Sequence, residues 1–208
     1  MARYIGPVCK LCRREQTKLF LKGDKCFTKC ILEKRSTPPG AARPQRGKMS
    51  EYAVRLREKQ KLRRMASMTE RPFELLFEKA SKATGKTGEA LLQYLELRLD
   101  NVVKRLGFCL SLKTARQLVL HGHVRVNGKA LNIPSYGIKP GDQVSLNPKL
   151  KENLAVKLGL EATEKRGIRP GFLEFNAGEL SGKLLRMPTR EEISFPIQEQ
   201  LVVEYYSK

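Results

Sequence analysis

Apolar residues recur at helical spacing from about residue 50 to residue 120, and then alternate. Residues 1–48 show neither period. The stretch Thr37-Pro38-Pro39-Gly40-Ala41-Ala42-Arg43-Pro44-Gln45-Arg46-Gly47 opposes helix and central strand alike, so it reads as an arm folded against something else. Ser50 is a candidate N-cap for a helix over residues 51–66. Thr69 opens a second helix carrying Phe73, Leu76, Phe77 and Ala80, with Gly85 at its end. A third begins near Thr87, and its stripe Leu91, Leu95, Leu99, Val102, Val103, Leu106 predicts one helix running to Gly107. Ser111 caps a short helix whose inward residues are Leu112, Ala115, Leu118 and Val119.

Beyond Gly122 the period falls to two. Val124 and Val126 lead into Asn127-Gly128, the signature of a tight hairpin turn. A second turn, Lys139-Pro140-Gly141-Asp142, precedes Val144 and Leu146. A helix over roughly 150–164 follows, and Leu201–Tyr206 is expected to close the chain as a strand. The elements predict an α+β protein.

Charge changes this picture from a fold to a binding protein. The 208 residues carry 41 Lys and Arg against 21 Asp and Glu, a net charge of +20. Residues 1–50 hold 13 cations and 3 acids, and residues 101–150 hold 8 and 1. Residues 151–208 are neutral. Two separate basic regions point to a polyanion, nucleic acid before membrane. The helix over 51–66, with Arg55, Arg57, Lys59, Lys61, Arg63 and Arg64, lacks the broad apolar face that membrane insertion needs, so these cations are expected to contact RNA phosphates. No apolar run approaches the roughly 20 residues of a membrane span, and the first residues do not read as a signal peptide. A cytoplasmic protein with neither membrane nor small-molecule partner is expected.

In a reducing compartment cysteines suggest metal. Cys9-x₂-Cys12-x₁₃-Cys26-x₃-Cys30 has the spacing of a closed, structural zinc knuckle. Basic neighbours Lys10, Arg13, Lys25 and Lys29 favour thiolates. One zinc ion is the expected cofactor; an iron–sulfur cluster uses the same four-cysteine set, and free thiols or a redox pair are the bland reading. Cys109, between Phe108 and Leu110, reads as core.

The segment from Arg98 to Leu146 concentrates donors. Lys113, Arg116 and Gln117 are expected to face away from the apolar side of their helix, with His121, His123, Arg125 and Lys129 close by. Such a patch suits phosphates and sugar hydroxyls. His121 and His123 lack a nearby acid and do not read as metal ligands. In the arm, Arg3, Lys10, Arg13, Arg14, Lys22, Arg35, Arg43, Arg46 and Lys48 complete the candidate RNA contacts. No phosphate-cradling loop, nucleophile elbow or carboxylate pair appears, so catalysis is not expected. Aromatics are 7% and Trp is absent, which disfavours an aromatic platform for unstacked bases and favours recognition of folded RNA by shape.

Arg98–Gly128, followed by Pro134-Ser135-Tyr136 and Pro140-Gly141-Asp142, resembles the S-four RNA-binding domain, which modifying enzymes and synthetases also carry. Arg3-Tyr4-Ile5-Gly6-Pro7, the cysteine pairs, Tyr52–Arg63 and Glu199–Ser207 resemble the bacterial family of small-subunit ribosomal protein number four. The resemblance spans the chain. It implies a mostly helical domain (49–97 with 165–208), an inserted helix–helix–β RNA-binding domain (98–164) and an N-terminal zinc-knuckle arm (1–48). It also implies early binding to small-subunit ribosomal RNA, nucleation of body assembly, a role in translational accuracy, and neighbours that include ribosomal protein number five.

Overall fold

A computed structural model describes residues 4–40, 48–167 and 169–207. These form helices and one antiparallel sheet, an α+β fold. They fall into two compact units, residues 1–92 with 195–208, and residues 93–194.

The first unit is helical. Three short helices, α1 (Cys9–Glu15), α2 (Lys25–Thr28) and α3 (Ile31–Lys34), build the cysteine arm. Ser50 caps α4 (Glu51–Met65) as expected, its hydroxyl accepting from the Ala53 amide at 3.3 Å. Next come α5 (Glu70–Ser81) and α6 (Thr87–Glu96). Phe73, Phe77 and Ala80 of α5 are buried as their spacing predicts, whereas Leu76 is half-buried. The last element, α10 (Glu199–Tyr206), is a helix where a strand was expected. Its β-prone residues are overridden by packing: Val202 is fully buried, and the Tyr206 ring stacks on Phe77 with centroids 4.5 Å apart.

The second unit carries the sheet. The stripe expected as one helix breaks after Glu96, and α7 (Leu99–Arg105) follows as a separate helix. Between them the chain bridges Arg98 to Gly137, and the Leu99 amide bonds the Tyr136 carbonyl at 2.8 Å. These tertiary bonds end the run that apolar spacing alone would continue. Ser111 caps α8 (Leu112–Leu120) through the Thr114 amide at 3.2 Å. The predicted hairpin is present: β1 (Val124–Val126) pairs β2 (Lys129–Ala130), with Asn127 at φ 50° and Gly128 at φ 80°. The Asn127 amide donates to Asp142 at 2.9 Å, which ties the first turn to the second.

Beyond β3 (Gln143–Leu146) and α9 (Leu154–Arg166), two further strands join, β4 (Leu173–Asn176) and β5 (Ser181–Leu184). All neighbours are antiparallel in the order β2-β1-β3-β5-β4. The expected return of the chain to the helical part at residue 165 therefore moves to about residue 195. Phe108, Phe172, Leu99, Leu106 and Leu184 fill the core beneath the sheet.

Two glycines set how closely this core packs. Gly182 lets β5 lie on Leu106, where any Cβ would collide with its methyls. Gly159 lets α9 lie on backbone: an added Cβ would sit 2.7 Å from the Gly107 carbonyl oxygen and 3.0 Å from the Cys109 nitrogen. In a free helix Gly→Ala gains about 1 kcal/mol. Here backbone cannot yield, and overpacking costs about 1–3 kcal/mol. Gly159→Ala is therefore expected to destabilise the protein in denaturant titrations, against its helix propensity. A stabilised variant would mean that α9 can shift freely.

Candidate nucleic-acid interface

The expected RNA surface in the second unit is only partly as read. Leu112, Ala115 and Val119 of α8 are buried, and Gln117 and His121 are exposed. Lys113, His123 and Arg125 are half-buried, Lys129 is exposed, and the two imidazole rings lie 6.0 Å apart. Arg125 alternates with buried Val124 and Val126, so it stands on the outer face of the sheet, opposite Ser145. Exposed Lys183 lies on the same face, two strands away. It was missed because β5 itself was not foreseen.

Arg116 corrects the expectation. Its exposure is 7%, with a guanidinium nitrogen 3.9 Å from the Asp100 carboxylate. Asp100 is 1% exposed and accepts a two-pronged bond from Arg98 at 3.1 and 2.8 Å. Position 116 follows Leu112 by four residues and so shares its stripe. Leu118, expected inside, is half-buried. Helical spacing allowed either residue to turn inward, and the buried carboxylate decides for the arginine. Arg116 is thus part of the clamp between α7 and α8 rather than a surface cation.

The basic helix α4 is corrected more broadly. Lys59, read as a phosphate contact, is 3% exposed; its ammonium lies 2.5 Å from Glu70 and 4.6 Å from the Tyr205 ring centroid. Arg55 reaches Glu204 at 2.7 Å and Glu51 at 3.2 Å. Lys61 meets Glu58 at 3.3 Å, and Arg63 meets Glu70 at 3.3 Å. Arg57 and Arg64 both bind the buried Glu15, Arg57 at 3.2 Å. Burial pushes the Glu15 carboxyl above its ordinary range, while Arg64, Arg57 and Arg14 pull it back. Arg55, Arg57, Lys61, Arg63 and Arg64 keep partial exposure, so an RNA meets them already paired.

In the arm, Arg13 donates to the Thr37 and Pro38 carbonyls at 2.8 and 3.3 Å, and Arg14 to Pro39 at 3.0 Å. Both hold down the proline-rich segment. Lys10, Lys22, Arg35 and Lys48 are exposed. Arg3, Arg43 and Arg46 lie outside the described residues. Cys12 and Cys30 are buried, Cys9 and Cys26 half-buried, and all are free thiols. Among the described residues no three Cys, His, Asp or Glu side chains are gathered closely enough to hold a metal ion. The cysteines nonetheless influence one another. Burial raises the Cys12 thiol, the Leu19 backbone opposes it, and Cys26, Cys9 and Cys30 add to the rise. The Lys22 amide lies 3.3 Å from the Cys26 sulfur. Cys109 is core as expected, its thiol pushed up to about 12 by burial. No helix among the described residues is long and apolar enough to cross a membrane.

Exposed cations on the arm, on β2 and on the outer face of the sheet suit a polyanion such as RNA. Comparison with known proteins makes this specific. Residues 3–96 match the family described as the ribosomal protein S4/S9 N-terminal domain, and residues 97–144 match the S4 domain. The chain is 52% identical over 209 residues to the small ribosomal subunit protein uS4 of Thermodesulfovibrio yellowstonii, covering 100% of both chains. It is 53% identical over 209 residues to that of Anaeromyxobacter sp. (strain K), and 50% over 210 residues to that of Thermus thermophilus, again with 100% of each chain covered. The chain belongs to the uS4 family of small-subunit ribosomal proteins. The matched S4 segment stops at residue 144, before the strands β4 and β5 that complete its sheet.

The buried Arg98–Asp100–Arg116 cluster yields a prediction. Arg116→Glu sets a second carboxylate beside Asp100, and breaking a buried pair costs about 3–5 kcal/mol. A markedly lower melting temperature is expected, with RNA binding lost through unfolding. Gln117→Glu, one residue on and exposed, should weaken RNA binding with an unchanged circular dichroism spectrum. An Arg116→Glu variant that melts normally would show the guanidinium free to leave its site.

Proposed function

We infer that this protein is a structural, non-catalytic component of the small ribosomal subunit that binds its ribosomal RNA. The observation that carries the reading is the chain-long identity with small-subunit uS4 proteins. The exposed cations of the arm, exposed Lys129 and the half-buried Lys113 and Arg125 supply the contacts. Its place is the small subunit, cytoplasmic in bacteria. Early binding that nucleates body assembly, and a share in translational accuracy, fit a protein that touches RNA from separate basic regions. Neighbouring small-subunit proteins, number five among them, are the proposed protein partners. Cosedimentation with small subunits in a gradient tests the reading; absence from that peak overturns it.

We propose further that one zinc ion is held by Cys9, Cys12, Cys26 and Cys30. The donor chemistry supports this: four thiols within one short arm, two of them buried, which are not gathered around a centre here and which the ion would draw together. When bound, the ion closes a segment that has little core of its own. Elemental analysis should find one zinc per chain, released as the four thiols are titrated. Metal-free protein with four freely reactive thiols overturns the proposal, and iron with visible absorbance indicates a cluster.

Phosphate contact should dominate affinity. If roughly ten phosphates are neutralised, the log–log slope against salt is about −7 to −9. Deleting residues 1–46 should make the slope shallower without abolishing binding. The same RNA with its junction straightened into continuous duplex should bind much more weakly at equal salt. Equal affinity would leave a nonspecific polycation.

A further inference from the structure

Within the arm, Leu19 and Leu21 are buried, yet Phe20 between them is 38% exposed. It reaches the surface by a left-handed backbone, φ 50°, which bulky residues rarely adopt. Strained backbone persists only where the surrounding structure holds it, and it clusters where ligands are met. Its ring meets that of Phe27, itself 48% exposed, with centroids 4.9 Å apart and planes inclined by 31°. Exposed Lys22, Lys25 and Lys29 lie in the same short stretch, whose one acid is Asp24. Packing against Phe27 covers part of the Phe20 ring, and the rest of it stays at the surface of a basic stretch.

We propose that Phe20, backed by Phe27, offers a stacking face to one unpaired nucleobase of the ribosomal RNA. The proposal rests on the RNA-binding reading above and adds a contact to bases. Charge complementarity selects the occupant. An apolar protein face would cover the rings and strand the lysines, whereas an acidic peptide would meet the lysines and leave the rings in water. An unstacked nucleotide satisfies both, its base on the Phe20 ring and its phosphates on the ammonium groups. Low aromatic content excludes a broad platform of many rings, but one ring backed by a second serves a single base.

The test uses the full chain and small-subunit ribosomal RNA. Asn is at ease in the left-handed region, so Phe20→Asn removes the ring while easing the backbone. Its melting temperature should be unchanged or higher, yet its RNA affinity should fall by about five- to a hundredfold, the span of one base–aromatic stack. The salt slope should not change, because no phosphate contact is lost. Phe20→Trp should bind like the parent. The chain has no other Trp, and its fluorescence should be quenched by RNA. Undiminished affinity of the Asn variant, or an unquenched Trp in an RNA complex, overturns the platform. If the Asn variant fails to fold, the Trp signal alone decides. Normal RNA binding by the Asn variant with loss from assembled subunits would assign the rings to a protein neighbour, also overturning the proposal. Failure of the parent chain to bind the RNA overturns the RNA-binding reading itself, and the platform with it.

Discussion

Helix α4 has to be held in place by charge. It buries Leu62 and Met65, but its third buried position is taken by Lys59, and half-buried arginines flank these. Glu15 from α1, Glu70 from α5 and Glu204 from α10 converge on it, and Glu51 and Glu58 serve from within. Isolated surface ion pairs add little to stability. Here Glu15 and Lys59 are buried, so each needs its partner to avoid an uncompensated charge. The pairs therefore specify which helices may meet α4. Aromatic packing then supplies the energy that the pairs do not: Tyr206 lies against Phe73 and Phe77, and Tyr205 lies under the Lys59 ammonium.

The second unit solves the same problem with two buried acids, Asp100 and Glu96. Asp100 receives Arg98 and draws Arg116 inward, fixing α8 against α7. Glu96 does likewise for Arg105, which also donates to the Ser194 hydroxyl. Once α8 is oriented, Gln117 and His121 are turned outward and the chain enters β1 with Arg125 on the outer face. The outward patch is thus a consequence of the buried pairs.

Local signals were legible and nonlocal ones were not. Ser50, Ser111 and Asn127-Gly128 act through their own neighbours, and each does what its residue type predicts. The α+β class and the basic arm also followed from pattern and charge. Whether a given cation faces water or a carboxylate depends on residues far along the chain: Arg55 and Glu204 are 149 positions apart. No window of sequence contains that information, so Lys59 and Arg116 were read as surface. Strand β5 was hidden by Gly182, a poor strand former that is needed because Leu106 occupies the space above it. Helix α10 was hidden by Val202, Val203, Tyr205 and Tyr206, which favour strands unless a helical partner is waiting.

The partition of cations has a functional consequence. Buried pairs are screened little by salt, whereas exposed cations trade their counterions for phosphate. A chain of net charge +20 would repel itself if every cation were exposed. By spending acids on the interior cations of α4 and α8, the fold removes repulsion where helices must pack and leaves it at the surface, where a polyanion can relieve it. Binding then stabilises the folded state by mass action without remaking its core. The cations left exposed include Lys10, Lys22, Arg35 and Lys48 of the arm, Lys129 of β2 and Lys183 of β5, so the protein gains most from a polyanion that brings phosphates to such positions.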